Sequence, residues 1–197
     1  IRFMAPALIA IAIMYNAFFE TTYASFVRMY YQKTFDGMMT TPLSLEEIIL
    51  AEIVWSATKA TLAATLMMAV LALFGFVALP SGLLIIPLAF LGGLAFGSIG
   101  MFFTGITPSI DMFNLPIFLF ISPMFLFSGT FFPAAGLPAW AKGTALLFPL
   151  YHLVELTRRC SLGFGEINPW ISLGYLCCFA LCFLALGLHT MRKRLIH

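Results

Sequence analysis

The feature that most constrains this chain is the length of its uncharged apolar runs. Residues 60–79, 81–110 and 167–191 contain no Asp, Glu, Lys or Arg. A transmembrane helix needs about 20 apolar residues, because it rises about 1.5 Å per residue across a hydrocarbon core of about 30 Å. Each run is long enough to cross a bilayer, and a water-soluble fold could not bury all of them. The sequence therefore predicts an all-α integral membrane protein, a polytopic bundle of transmembrane helices.

The composition excludes several other classes of protein. Only 9% of the residues are charged, whereas soluble domains carry about 25%. The net charge of +2 and the lack of a basic stripe argue against a nucleic-acid partner. The four cysteines show no disulfide or metal-ligand spacing, and the sequence contains no P-loop motif for ATP. We therefore expect no cofactor or metal site in this chain.

Five spans are predicted, and the basic residues that follow them set the orientation. The spans cover residues 3–27, 55–79, 83–106, 112–128 and 169–191. Arg28 and Lys33 follow the first span, and Arg192, Lys193 and Arg194 follow the last. Counting crossings puts both clusters on one side, which the positive-inside rule identifies as the cytoplasm. We expect a multi-pass protein of the inner (plasma) membrane with a cytoplasmic C-terminus.

This orientation also predicts a further span. It leaves Ile1, which directly precedes the first span, on the outer face of the membrane. We expect at least one more span upstream, which would give the complete protein six spans. Residues 1–197 are expected to form a single transmembrane domain.

The segment 41–53, which follows the first span, predicts a short amphipathic helix at the cytoplasmic membrane surface. Ser44 and Glu47 make an S-x-x-E capping box at its start. Its apolar residues share one helical face: Leu45, Ile48, Ile49 and Ile53. The acidic side chains of Glu46 and Glu47 do not suit anionic headgroups. A protein partner explains this polar face better, and the alternative is a solvated linker helix.

The outer segment 129–168 is apolar, yet it is broken by Pro133, Pro138 and Pro149. It is too apolar for an exposed loop and too interrupted for a span. Backbone that is not a spanning helix is tolerated at membrane depth only where protein or a watery cavity satisfies it. We expect this segment to dip into the outer leaflet and return, shaping an exit there.

A few side chains inside the spans allow more than one interpretation. Glu20 would cost about 2.5–3.5 kcal/mol at mid-bilayer. It either lines a pathway or pairs across an interface, or it is bonded to neighbouring Tyr and Thr side chains. Lys59 is expected to reach the inner surface, and Gly93, Gly97 and Gly100 give their span a smooth face for close packing. His152 and His189 are predicted to be structural or interfacial.

Two stretches resemble a known family. The first is ETTYASFVRMYYQKTFDGMMTTPLSLEEIILAEIVWSATKA, and the second is SGTFFPAAGLPAWAKGTALLFPLYHLVELTRR. The first resembles the inner loop of ABC transporter permeases of the type-2 exporter family. The second resembles that family's SG-x-x-F-P…LP-x-W…P-L-x-x-x-x-x-x-R signature. The nodulation-factor export branch is the most similar, and its relatives include drug and polysaccharide exporters.

The resemblance implies a permease that works as a dimer with two ATPase subunits, which would bind ATP and Mg. It implies a coupling helix at residues 41–53, with these residues contacting the ATPase: Thr41, Pro42, Leu43, Ser44, Glu46 and Glu47. It also implies a re-entrant pair of helices at 132–140 and 142–159. Candidate pathway or interface residues are Glu20, Phe131, Phe132, Glu155 and Arg158.

Three functions follow from these observations. The leading hypothesis is the membrane subunit of an ATP-driven ABC exporter. Its cargo would be an amphipathic or lipid-linked molecule, namely a lipo-oligosaccharide, a polysaccharide or a drug-like compound. The first alternative is an autonomous channel or secondary carrier, which would not need an ATPase. The second is an intramembrane lipid-modifying enzyme with His152 or Glu155 as its acid–base group, although no second catalytic group stands at a suitable spacing.

Overall fold

A computed structural model describes residues 3–77, 81–130, 139–163 and 167–195 of the chain. Within these ranges every regular element is helical, and the helices follow in this order: α1 (Ala5–Tyr31), α2 (Thr34–Met39), α3 (Leu45–Leu73), α4 (Ile85–Ile106), α5 (Ile110–Phe127), α6 (Ala139–Leu146), α7 (Pro149–Leu162) and α8 (Pro169–Leu195). Five of them, α1, α3, α4, α5 and α8, are long and apolar enough to cross a membrane. The prediction of an all-α polytopic bundle is confirmed.

The helix α4 lies at the centre of the bundle because glycines let three neighbours approach it. A Cβ atom on Gly93 would lie 2.7 Å from the Cα atom of Ala57 in α3. One on Gly100 would overlap the hydroxyl of Thr21 in α1, and one on Gly105 would lie 2.5 Å from the Thr190 hydroxyl in α8. The predicted close packing is confirmed, and it extends to three sides of the helix.

The apolar core and the lipid-facing surface can be told apart by burial. Fully buried side chains such as Ile13, Phe96 and Leu153 join α1, α4 and α7 in one cluster. In contrast, α3, α5 and α8 expose large apolar side chains, including Leu66 and Leu119. In a bilayer, exposure of such side chains to acyl chains costs nothing, because lipid tails are as apolar as Leu.

The second span differs from its predicted bounds. It begins at Leu45 rather than near residue 55, and it continues without a break for 29 residues. The prediction of a separate surface helix at 41–53 is therefore wrong. Residues 45–53 contain no proline or glycine, so the helix that Ser44 caps has no reason to stop before the membrane. The separate short helix of this loop is α2.

The outer segment also differs in detail. The helix predicted over 142–159 is two helices, since α6 ends at Leu146 and α7 begins at Pro149. Proline has no backbone N–H and is favoured in the first turn of a helix, so it starts α7. With 14 residues, α7 is about 21 Å long and too short to span. The first predicted helix, 132–140, falls mostly on residues outside the described ranges.

The two basic clusters lie at the same end of the bundle, where Lys33 of the first cluster and Arg194 of the second line one cavity. The guanidinium group of Arg194 donates hydrogen bonds to the backbone oxygens of Thr104 and Thr107 at the end of α4. Arg192 lies 3.9 Å from Glu46 near the start of α3. This is the arrangement that the positive-inside rule requires. The side of the membrane that this end faces stays a prediction.

Candidate functional site

Four charged side chains meet between α1 and α3. The guanidinium group of Arg28 lies 3.1 Å from a carboxylate oxygen of Glu20, and its Nε donates to Glu52 over 3.0 Å. The second oxygen of Glu20 lies 3.0 Å from Nζ of Lys59. Ser25 donates its hydroxyl to Glu52 over 2.6 Å. Both carboxylates are largely buried, with 11% and 10% of their side chains exposed, and the two cations neutralise them.

Local irregularity in α1 brings this network together. The helix contains two π-helical turns, Glu20–Ala24 and Val27–Tyr31. A π-turn adds a residue to the helical repeat, so Arg28 reaches the same face as Glu20 although eight residues separate them. The hydroxyls of Thr21 and Thr22 donate to the carbonyls of Ala17 and Phe18 one turn earlier. They thereby give backbone acceptors of the irregular stretch a partner inside the membrane.

A groove of about 630 Å³ runs along the exposed side of α1, beside this network. The carboxylate of Glu20 and the guanidinium group of Arg28 both border it. The rings of Tyr15, Phe19 and Tyr23 also line it, with centroids 5.5 and 5.6 Å apart along the row. The groove therefore combines a row of aromatic rings with charged hydrogen-bonding groups. Such a surface suits a molecule that has both apolar and polar parts.

The predicted ATPase contact lies at the exposed end of α3. The capping box is confirmed, because the Ser44 backbone N–H donates to Glu47 over 2.7 Å and the Glu47 N–H donates to the Ser44 hydroxyl. All six predicted contact residues are exposed: Thr41, Pro42, Leu43, Ser44, Glu46 and Glu47. Their exposure leaves them accessible to a partner, and their role at an ATPase stays a prediction.

Two of the candidate pathway residues are inside the protein. Arg158 donates to the backbone oxygen of Gly129 over 2.6 Å, and its guanidinium carbon lies 3.8 Å from the ring centroid of Phe3. Glu155 lies 3.6 Å from Arg158, and both side chains are buried. They therefore connect α7 to the end of α5 and the start of α1. The other two outer candidates, Phe131 and Phe132, lie outside the described residues.

His152 is a structural residue, as predicted. Its Nε2 atom lies 2.9 Å from the backbone oxygen of Leu146, and its Nδ1 atom lies 3.1 Å from the Ser172 hydroxyl. Its ring stacks on Tyr175. Burial lowers the pKa of His152, so the neutral ring donates from Nε2 to Leu146. Both nitrogens are thus engaged in joining α6, α7 and α8, which does not favour the lipid-modifying enzyme.

The sequence interpretation missed Glu52 and the role of Arg28. Lys59 was expected only to reach the membrane surface, but it pairs with Glu20. A signal was present in the sequence. If one helix follows directly from the Ser44 cap, Glu52 and Lys59 stand seven residues apart on one helical face inside a span. Charged residues inside a span usually form ion pairs, and Glu20 and Arg28 are the charged residues available to pair with them.

Comparison with known proteins identifies the family. A family model described as "ABC-2 type transporter" matches residues 1–162 of the chain. The chain belongs to the ABC-2 type transporter family. This ABC-2 permease is 37% identical to "Nodulation protein J" of Sinorhizobium fredii over 100% of its own length and 75% of the relative's. It is 35% identical to the protein of the same name from Rhizobium meliloti over the same shares.

A more distant relative of this ABC-2 permease is the "Probable multidrug ABC transporter permease YbhR" of Escherichia coli. The two are 24% identical over 87% of this chain and 47% of the relative. Together these likenesses confirm the leading hypothesis in its general form. The permease is a membrane subunit of an ABC exporter.

Proposed function

We propose that the permease moves an amphipathic or lipid-linked cargo along the groove on the exposed side of α1. The observation that carries this proposal is the groove bordered by Glu20 and Arg28 within a membrane-spanning helix. Ionisable side chains inside a span almost always face protein or a water-filled cavity, because contact with lipid is costly. The groove side of α1 therefore faces a pathway or a partner rather than acyl chains.

The chemistry of the groove supports the cargo class. Aromatic rings at Tyr15, Phe19 and Tyr23 can stack on sugar or acyl groups, while Asn16 and Arg28 offer hydrogen bonds to a polar head. A lipo-oligosaccharide is the first candidate, because the relatives that cover the whole chain are named as nodulation proteins. A polysaccharide or a drug-like amphiphile is the second, since YbhR is named as a probable multidrug permease.

A second copy of the chain would complete the path. The groove is formed by residues of α1 and the adjoining Gln32, so one wall is present and the opposite side is open. Two copies facing each other across this groove would enclose the cargo between them. We therefore propose a homodimer in the inner membrane, with the C-termini in the cytoplasm.

A separate ABC ATPase, which binds ATP and Mg, would drive the movement from the exposed end of α3. Because α3 is one rigid helix, displacement of its Ser44 end would also move Glu52 and Lys59. These two side chains bind Arg28 and Glu20 of α1. A movement imposed by the ATPase would thereby reach the groove. The ATPase shifts the permease only if it binds one of its conformations more tightly.

Filling the groove is expected to block transport. An Asn16→Trp variant places a bulky ring on an exposed groove position, and we expect transport to fall at least about tenfold. The measurement is ATP-dependent accumulation of a fluorescent lipid-linked oligosaccharide in inside-out vesicles. The vesicles contain the permease together with a co-expressed ABC ATPase subunit. A Leu66→Trp variant on the exposed surface of α3 is the matched control and should transport normally.

Two results would contradict this proposal. Normal transport by the Asn16→Trp variant would remove the groove from the cargo path. Transport by vesicles that contain the permease without any ATPase would favour an autonomous channel or carrier instead.

Reversing the charge of Glu46 tests the coupling role. Glu47 is unsuitable because it belongs to the capping box. Among the described residues, Glu46 has only an exposed contact with Arg192, and such contacts contribute about 0–1 kcal/mol to stability. We expect Glu46→Lys to lower cargo-stimulated ATPase activity about tenfold at an unchanged level of membrane insertion. Lys142→Glu, in the outer segment, is the control. Equal activity of the two variants would argue against docking at residues 41–47.

A further inference from the structure

A basic hollow and an apolar groove meet at the end of the bundle that contains Arg194. The hollow has a volume of about 490 Å³ and is lined by Lys193, Arg194 and the end of α4. The apolar groove has a volume of about 330 Å³ and runs between α4 and α5. Ile106 and Pro108 line both, so the two cavities adjoin. We propose that together they bind one anionic diacyl phospholipid, with its phosphate in the hollow and an acyl chain in the groove.

The hollow can bind a phosphodiester because it presents cations without a competing carboxylate. Lys193 is exposed, and within the described part of the chain it forms no ion pair. Arg194 uses Nη1 for the carbonyls of Thr104 and Thr107. Its Nε and Nη2 donors have no acceptor among the described residues. Among the described residues, no Asp or Glu lines the hollow itself. Asp36 borders a separate cavity that Arg194 also lines, and neighbouring Arg192 lies 3.9 Å from Glu46.

The groove has the composition and the length of an acyl-chain site. Apart from Thr107, its lining residues are apolar, and they include Phe103, Met112, Leu115, Leu119 and Phe120. From residue 112 to residue 120 the helix rises about 12 Å. One leaflet of the hydrocarbon core is about 15 Å thick. An acyl chain whose headgroup sits in the hollow would therefore follow this groove through most of one leaflet.

Charge and shape together favour an anionic lipid over other occupants. A free phosphate would fill the hollow and leave the apolar groove uncovered. A phosphatidylcholine would fit the groove but would place its quaternary ammonium group among the cations of the hollow. Phosphatidylglycerol, whose headgroup carries a net negative charge, suits both the basic hollow and the apolar groove. Each basic residue at a membrane surface strengthens binding of an anionic headgroup about fivefold.

Native mass spectrometry of the full permease in a neutral detergent tests the proposal. The probes are dioleoylphosphatidylglycerol, dioleoylphosphatidylcholine and inorganic phosphate. We expect phosphatidylglycerol to bind at least about fivefold more tightly than phosphatidylcholine. Lys193→Gln should weaken the binding of phosphatidylglycerol about fivefold and leave the binding of phosphatidylcholine unchanged. Lys142→Gln, which removes a lysine from the outer segment, should not change the affinity for either lipid.

A second variant tests the acyl-chain half without touching the buried contacts of Arg194. Leu115 is exposed, so the Leu115→Trp variant should fold normally. The larger side chain should narrow the groove and weaken the binding of both lipids. The proposal is overturned if the two lipids bind equally to the unmodified protein. It is also overturned if Lys142→Gln acts like Lys193→Gln, if Leu115→Trp leaves both affinities unchanged, or if millimolar inorganic phosphate displaces phosphatidylglycerol. The last result would indicate a site for free anions.

Discussion

Replacing Arg28 with Gln is expected to destabilise the permease by about 3 kcal/mol. The guanidinium group of Arg28 neutralises two largely buried carboxylates, Glu20 and Glu52. Removing one partner from a buried ion pair costs about 3–5 kcal/mol, because the remaining charge is left without compensation. We take the lower limit since 24% of the Arg28 side chain is exposed and Lys59 still pairs with Glu20. The free energy of unfolding, measured by titrating SDS into mixed micelles, provides the test.

The control for this variant is Arg159→Gln. Arg159 is an exposed arginine that donates only to the backbone oxygen of Ile167 among the described residues, so its loss should change stability by about 0.5 kcal/mol or less. Adding Glu52→Gln to Arg28→Gln removes a carboxylate that the first change left unpaired, and should recover part of the loss. Equal stability of the two arginine variants would show that the network does not hold α1 against α3.

Adding a single methyl group to Gly93 is expected to have the second largest effect. The new Cβ atom would lie 2.7 Å from the Cα atom of Ala57 and 3.2 Å from its backbone oxygen. Because these are backbone atoms, α3 and α4 must move apart, and overpacking of this kind costs about 1–3 kcal/mol. We expect Gly93→Ala to lose about 2 kcal/mol in the same SDS titration.

Gly174→Ala is the matched control for this substitution. Gly174 also lies in a membrane-spanning helix, α8, but a Cβ atom there would meet nothing within 4 Å. The gain in helix propensity from Gly to Ala is at most about 1 kcal/mol, so this variant should be as stable as the unmodified protein or slightly more stable. If Gly93→Ala were equally well tolerated, the close contact between α3 and α4 would be disproved.

The sequence by itself determined the class of the protein and most of its spans. Apolar runs of 20 or more residues can only be satisfied across a bilayer, and this requirement is local to each run. The start of α3 was also predictable, because the capping box of Ser44 and Glu47 acts on backbone groups within a few residues. The family resemblance relied on the same local motifs.

Only the tertiary structure decided how the charged side chains combine. The sequence contains Glu20, Arg28, Glu52 and Lys59 on two helices, but their partners depend on two π-turns in α1 and on the register between α1 and α3. That register is set by the contact of both helices with the glycines of α4. Helix packing joins residues that are 24 to 39 positions apart, and no local pattern specifies such a contact. For the same reason, the adjoining hollow and groove beside Arg194 became visible only in three dimensions.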